Sequence, residues 1–261
     1  MNLYGLSLER DGLQVFHDSF NAEQLKVMSN KLDECLQKYE EIKDKNKVNL
    51  GLKGIIHHPI LFDDYFINLL SLTNIREHIT SWFNGKFILN TYGGIVNTQD
   101  SGEYVHQIHS DTRFYAGEYR LFLNLLIAID EFTVENGATK ILIKNGLSDK
   151  PAEQFFNEQA TDLVLNAGDI VLFDSNLWHR AGENSTKYPR RCLTMTFARP
   201  WIKPQYDYIA KGNIKPNDID PFIQQILGFN SRTPSSIENW FLPEGERFYK
   251  KDQDILEDNA Q

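Results

Sequence analysis

The sequence has no long hydrophobic run, which excludes a membrane-spanning helix. Its longest apolar stretch, from Leu121 to Ile129, is interrupted by Asn124. A transmembrane helix needs about 20 consecutive apolar residues. The first residues show neither the basic segment nor the apolar segment of a secretory signal peptide. We therefore expect no membrane partner and a cytoplasmic location.

Cysteine and positive charge are also scarce. The two cysteines, Cys35 and Cys192, belong to no C-x-x-C pair and predict small buried side chains rather than a disulfide framework. Acidic residues outnumber basic ones 36 to 27, which gives a net charge of −9. A nucleic-acid partner would favour a basic surface. We therefore expect no nucleic-acid partner.

The chain of 261 residues, 41% of them hydrophobic, is sufficient for one large domain. We divide it into an N-terminal helical region at about 1–86, a core at about 87–200, and a C-terminal extension at 201–261 whose polar tail is expected to be disordered. Asn21 and Gln24 predict a capped helix start, and apolar residues then recur at three- and four-residue steps. Shorter helices are predicted near residues 64–72, 75–82 and 219–227.

The core region shows short β-rich runs separated by glycine-containing turns. A helical bundle would not be interrupted so often, whereas an antiparallel sandwich or barrel would. The expected fold is therefore mainly β, with the N-terminal helices packed on the sheet. The predicted strands span residues 87–92, 121–129, 139–143, 163–165, 170–173 and 192–198.

His109 and Asp111 are two residues apart, so on a strand both side chains point to the same face. An imidazole and a carboxylate together suit a divalent metal such as Fe(II). Alone, the pair also fits a strand-end histidine beside a solvated aspartate. His179 follows the buried run 170–173 and supplies a third candidate ligand, although it also fits a structural histidine beside Trp178.

Arg190 begins another β-rich run. With a period of two, Arg190, Cys192, Thr194 and Thr196 share one face of the strand. A buried arginine needs an anionic partner, and a ligand carboxylate meets that need. The alternative is that Arg190 and Arg191 are both surface residues after a proline.

Taken together, these motifs resemble the phytanoyl-CoA dioxygenase (PhyH-like) family of Fe(II)- and 2-oxoglutarate-dependent oxygenases. The resemblance covers roughly residues 12–204. It implies a single oxygenase domain over 1–261 with a double-stranded β-helix core, also called a jelly roll, which is cupin-like. The motifs that carry the resemblance are His109-Ser-Asp111, Glu135-Asn-Gly-Ala138, Ala167-Gly-Asp-Ile-Val-Leu-Phe173, Leu177-Trp-His179 and Arg190.

The resemblance also implies roles for individual residues. Fe(II) would be held by His109, Asp111 and His179, with no catalytic residue beyond this metal centre. Arg190 would bind the distal carboxylate of 2-oxoglutarate. Further co-substrate contacts are predicted for Asn97, Asn124 and Thr194, although both asparagines also fit ordinary backbone hydrogen bonding. Arg113 and Tyr115 are predicted to contact substrate, with a surface salt bridge as the alternative for Arg113.

The family chemistry is oxidation of a small molecule by O2, with release of succinate and CO2. We expect hydroxylation of a metabolite or natural-product intermediate. The retained Asp111 argues against a halogenase, since those relatives replace this carboxylate with glycine or alanine. The alternatives are a non-redox cupin-like isomerase, a sugar-binding module, or an inactive scaffold.

Overall fold

A computed structural model describes residues 3–48, 53–101, 103–112, 119–143, 149–210 and 214–253, with only the backbone described at 4, 103 and 104. The expected disorder of the polar tail concerns residues 254–261, which lie outside the described part. None of the helices in the described ranges combines the length and apolar character needed to cross a membrane.

The described residues contain seven α-helices, most of them short. Short 3-10 turns supplement them, for example at Leu69–Ser71 and Glu103–His106. The predicted helices are found, and three were not predicted: those at Leu8–Asp11, Glu153–Gln159 and Ile237–Trp240. The α-helices are α1 Leu8–Asp11, α2 Ala22–Asn46, α3 Tyr65–Asn68, α4 Arg76–Phe83, α5 Glu153–Gln159, α6 Pro221–Ile226 and α7 Ile237–Trp240.

Nine strands form two antiparallel sheets within the described ranges. The larger sheet has the order β1-β7-β4-β9-β3-β2, and the smaller has the order β6-β5-β8. The strands are β1 Leu13–Phe16, β2 Ile55–His57, β3 Ile88–Asn97, β4 Phe122–Ala128, β5 Lys140–Ile141, β6 Thr161–Asp162, β7 Ile170–Asp174, β8 His179–Arg180 and β9 Arg190–Ala198. The fold is thus mainly β with helices, as predicted.

Helix α2 begins and ends with local hydrogen bonds. The Asn21 side chain accepts from the Gln24 backbone N–H, and the Gln24 side chain accepts from the Asn21 N–H, which completes the predicted capping box. The helix ends at Lys47, which adopts a left-handed conformation. It therefore continues through the polar tract 43–46, where amphipathic periodicity is lost.

The larger sheet packs against helices on one face and against the smaller sheet on the other. On the helical face, Leu193, Met195 and Phe197 share a core cluster with Met28 and Leu32 of α2. On the opposite face, a second cluster joins the two sheets through Leu126, Val171 and Cys192 of the larger sheet and Ile141, Leu163 and Leu165 beside the smaller one. The strand alternation predicted for β9 is therefore confirmed.

Two sequence expectations about strand boundaries were wrong. Gly93-Gly94 was expected to end a strand, but β3 continues to Asn97 because these glycines permit close packing: a Cβ at Gly94 would lie 2.5 Å from Leu32 Cδ1. The strand expected at 163–165 is instead β6 at Thr161–Asp162. Leu165 forms only an isolated bridge to Phe132.

Candidate active site

His109 and His179 are brought together by the backbone. They form an isolated antiparallel bridge, in which each residue donates its N–H to the other's carbonyl at 3.0 and 2.8 Å. The two imidazole centroids are 4.3 Å apart. Residues 70 positions apart in the chain are therefore fixed side by side at the end of β8.

Asp111 completes a three-residue cluster whose donor atoms all lie within 4.8 Å of one another. Its carboxylate oxygens are 3.8 Å from His109 Nε2 and 3.7 Å from His179 Nε2. This is the only cluster of its kind among the described residues. The three side chains that the sequence singled out thus face one point.

Backbone carbonyls set the tautomer of both histidines. His109 Nδ1 donates to Gln107 O at 2.8 Å, and His179 Nδ1 donates to Leu177 O at 2.9 Å. Because a carbonyl oxygen only accepts, Nδ1 carries a proton, and in the neutral ring Nε2 then keeps its lone pair. Such a hydrogen bond at the second ring nitrogen is typical of metal-binding histidines.

Burial lowers the pKa of His179, and His109 lowers it further, while the Asp111 carboxylate opposes both effects. The lowered pKa favours the neutral imidazole, which is the form that binds a metal.

Asp111 is held by contacts from two segments. Its backbone N–H donates to Ser175 O at 3.0 Å, and Asn124 Nδ2 donates to its Oδ2 at 2.7 Å. Thr196 Oγ1 in turn donates to Asn124 Oδ1 at 2.9 Å, so the amide is fixed by its neighbour on β9. Asn124 is 3% exposed, and its buried amide holds the Asp111 carboxylate through this hydrogen bond.

We expect Asn124→Ala to weaken divalent-metal affinity by about 10–100-fold, the effect usual for partners of metal ligands. The cause would be a freely rotating Asp111 carboxylate. Isothermal titration with Mn²⁺ measures the affinity. Asn239→Ala, on the exposed helix α7, serves as the control and should leave it unchanged; equal affinities in both variants would contradict the orienting role.

Arg190 is a buried cation without a carboxylate partner in the described part of the chain. It is 1% exposed and lies 4.2 Å above the Phe132 ring. Nη2 donates to Gly137 O at 3.0 Å, Nη1 lies 3.5 Å from Cys192 Sγ, and Nε has no partner. Burial lowers the pKa of Arg190, with Cys192 opposing. An anionic ligand would compensate this charge.

Arg191 takes the opposite face, where it pairs with Asp33 of α2 at 2.8 Å and with Asp130 at 3.1 Å. The two neighbouring arginines are therefore not equivalent. The alternative that both lie on the surface is excluded by the burial of Arg190.

Gly137 positions the carbonyl that contacts Arg190. Its φ is +81°, and an added Cβ would lie 2.6 Å from Asn97 Nδ2 and clash with the Gly182 carbonyl. We expect Gly137→Ala to lower the free energy of unfolding by roughly 2 kcal/mol or more, since a left-handed alanine alone costs about 1–2 kcal/mol. Urea denaturation measures it. Gly245→Ala, whose Cβ would meet nothing within 4 Å, should be neutral; equal loss in both would contradict the account.

A cavity of about 540 Å³ lies between the sheets and joins the triad to Arg190. Asn124 and Thr194, two of the predicted co-substrate contacts, also line it. Asn97 does not: its Nδ2 donates to Gly182 O at 3.0 Å, and its Oδ1 is buried without a partner. Arg113 and Tyr115 lie outside the described residues.

Some site residues were missed by sequence reasoning. Phe132 and Gly137 support Arg190, and Ser175 anchors Asp111 through its carbonyl. The motif Glu135-Asn-Gly-Ala138 had marked the position of Gly137 without giving it a role. No local signal marks Phe132 or Ser175.

The chain is similar to known proteins. Residues 8–192 match the family model of phytanoyl-CoA dioxygenase (PhyH). An uncharacterised protein of Mycobacterium tuberculosis is 26% identical, covering 82% of this chain and 81% of that protein. The dioxygenase andF of Emericella variicolor is 29% identical over 63% of this chain and 58% of its own length.

A solved structure shares the fold. It is EctD from S. alaskensis, described with 2-oxoglutarate and 5-hydroxyectoine, and it matches with a TM-score of 0.55 and 16% identity over 73% of each chain. The family match spans well over half of the sequence and contains His109, Asp111, His179 and Arg190. The chain therefore belongs to the phytanoyl-CoA dioxygenase (PhyH) family and is a dioxygenase.

Proposed function

We propose that this protein is an Fe(II)- and 2-oxoglutarate-dependent dioxygenase that hydroxylates a small-molecule metabolite or natural-product intermediate and releases succinate and CO2. The observation that carries the proposal is a triad of two histidines and one aspartate in the same cavity as a buried arginine without a carboxylate partner. Family membership and the names of the relatives support it.

The proposed core is a double-stranded β-helix, or jelly roll. Two antiparallel sheets enclose a cavity, and the strand order of the larger sheet is far from sequential. The bridge between His109 and His179 lies beside the smaller sheet, while Asn124 and Arg190 lie on the larger one. The site would thus lie between the layers, within a single domain over residues 1–261.

Fe(II) fits the donor set. His109, Asp111 and His179 would supply two neutral imidazoles and a carboxylate, a combination that leaves coordination positions free for a chelating co-substrate and O2. The protonated Nδ1 atoms leave both Nε2 atoms available to the metal. Asn124 would keep the Asp111 carboxylate directed at the ion.

2-Oxoglutarate fits the end of the cavity at which Arg190 lies. Arg190 would bind its distal carboxylate through the guanidinium, which the described protein leaves with an unpartnered Nε. Thr194 lies on the same face of β9 and also lines the cavity. Contacts from Asn97 and Asn124 stay predictions; Asn97 would need to turn its amide away from Gly182.

Iron with 2-oxoglutarate supplies the oxidising chemistry once both are bound. The chain's own residues would bind and orient these groups and shield them from water. The triad would hold the ion, Arg190 would hold the co-substrate, and apolar lining side chains such as Phe173 would limit water at the metal. The substrate's reactive C–H bond would be held beside the ion by the remaining cavity wall.

A non-redox cupin-like isomerase or a sugar-binding module is less consistent with the site. Neither needs a buried guanidinium directed into the metal cavity, whereas a dicarboxylate co-substrate does. The substrate contacts proposed for Arg113 and Tyr115 depend on residues outside the described part.

The proposal is tested by oxygen consumption and succinate release with purified enzyme, Fe(II) and 2-oxoglutarate. We expect slow turnover without substrate, and faster turnover with an accepted compound from a metabolite panel. Omitting Fe(II) or 2-oxoglutarate should abolish both signals. Oxygen consumption or succinate formation that is independent of 2-oxoglutarate would contradict the proposal.

A further inference from the structure

A β-bulge places two consecutive polar side chains on the cavity wall. Strand β3 pairs with β9 through Leu89↔Phe197 and then Thr91↔Thr196, so Asn90 has no partner in the ladder. An extra residue shifts the alternation of side chains by one position. Asn90 and Thr91 both line the cavity.

The bulge lies beside the metal centre and away from Arg190. Asn124, Thr196 and Thr91 are register partners on the adjacent strands β4, β9 and β3, and Asn124 contacts Asp111. Arg190 pairs with Asn97 at the other end of β3. Asn90 lies on the side of Thr91 that is farther from Arg190. It therefore borders the part of the cavity that 2-oxoglutarate would leave free.

Asn90 carries an unused hydrogen-bond acceptor. Its Nδ2 donates to Lys203 O at 3.2 Å, which fixes the orientation of the amide because a carbonyl oxygen only accepts. Among the described residues no donor to its Oδ1 is found, while the residue itself borders the cavity. A ligand O–H or N–H that reaches this oxygen would therefore gain a hydrogen bond.

The described part of the cavity wall has almost no charge to offer a substrate. Among the described lining residues, Asp111 and Arg190 are the only side chains of Asp, Glu, Lys or Arg, and both are assigned to metal and co-substrate. Phe122 and Leu126 share the Asn124 face of β4 and add apolar surface. A charged substrate group placed there would lose hydration without gaining a counter-charge.

We propose that the substrate is an uncharged molecule with an apolar body and a hydroxyl or N–H group that donates to Asn90 Oδ1. This inference rests on the proposed oxygenase function and names its substrate class. Thr91 and the exposed Gln205, whose backbone N–H donates to Asn90 O at 3.1 Å, border the same subsite. An acidic substrate paired with Arg113 is the competing outcome.

Three probes that share one rigid apolar body test the inferred preference for an uncharged substrate. They are adamantan-1-ol, adamantane-1-carboxylate and 1-aminoadamantane. Each is titrated anaerobically into protein loaded with Fe(II) and 2-oxoglutarate, by calorimetry and by perturbation of the visible charge-transfer band. We expect the alcohol to bind roughly tenfold or more tightly than either ion, the size of effect of one satisfied acceptor.

Variants assign the preference to Asn90. Asn90→Leu should remove the alcohol preference, and Asn90→Asp, which keeps the shape and adds a negative charge, should shift it to the ammonium. Asn239→Leu on α7 is the control and should bind like the parent. If circular dichroism shows that Asn90→Leu does not fold, the change in probe preference of Asn90→Asp still tests whether Asn90 contacts the ligand.

The outcomes are distinguishable from failure of the proposed function. Absence of the charge-transfer band before any probe is added would contradict the oxygenase assignment itself. A normal band with no preference among the probes, or with the carboxylate preferred, would overturn only the neutral-substrate inference. A preference unchanged in both Asn90 variants would also overturn it.

Discussion

Replacing Asp111 with alanine is expected to abolish 2-oxoglutarate turnover and to weaken Fe(II) binding by more than about 100-fold, beyond the usual effect of altering a neighbour of a metal ligand. The carboxylate is the one anionic donor of the cluster and lies within 4 Å of both imidazole Nε2 atoms. Without it, two neutral histidines would hold the cation alone. Succinate release and Mn²⁺ calorimetry measure the two effects.

The matched control is Asp100→Ala. Asp100 is an exposed aspartate whose contact with Lys53, at 3.4 Å, is on the surface. Activity and metal affinity should not change in this variant, since surface ion pairs contribute little. Substantial turnover retained by Asp111→Ala would show that the triad has been assigned wrongly.

Replacing Arg190 with methionine is expected to reduce 2-oxoglutarate affinity by roughly 30-fold or more, because losing one partner of a buried charge pair costs about 2–5 kcal/mol. Metal binding should remain, since the triad is not touched. Methionine fills similar volume against Phe132 without a charge, so the ligand-free protein should be as stable as the parent or more stable.

Thermal unfolding with and without 2-oxoglutarate, in the presence of Mn²⁺, separates these effects. A ligand at 100 times its Kd stabilises the folded state by about 2.7 kcal/mol. The parent should show this stabilisation and Arg190→Met should lose most of it. Arg191→Met, which removes the ion pairs to Asp33 and Asp130, should lower the melting temperature and keep the response. The reverse pattern would contradict the anchor assignment.

Much of the site followed from the sequence because its signals are local. The spacing of His109 and Asp111 predicted neighbouring side chains, which the structure shows although residues 109–111 form no regular strand. The alternation of β9 correctly directed Arg190, Thr194 and Thr196 inward. That His179 would reach the pair needed knowledge of the fold, since their bridge joins residues 70 positions apart.

Other features depend on contacts that the sequence does not encode locally. The co-substrate contact of Asn97 stays a prediction, and its amide contacts Gly182, 85 residues away, which no local pattern indicates. The bulge at Asn90 arises from the pairing of β3 with β9, and nothing in the run 88–92 marks it. The strands of two residues, such as β5 and β8, are too short to show a period.

Anaerobic titration of the protein with Fe(II) and then 2-oxoglutarate tests the central claim most directly. We expect a weak visible charge-transfer band that saturates at one equivalent of each and is absent with either alone. The band should also be missing in Asp111→Ala. A protein that binds Fe(II) yet forms no band with excess 2-oxoglutarate would contradict the account.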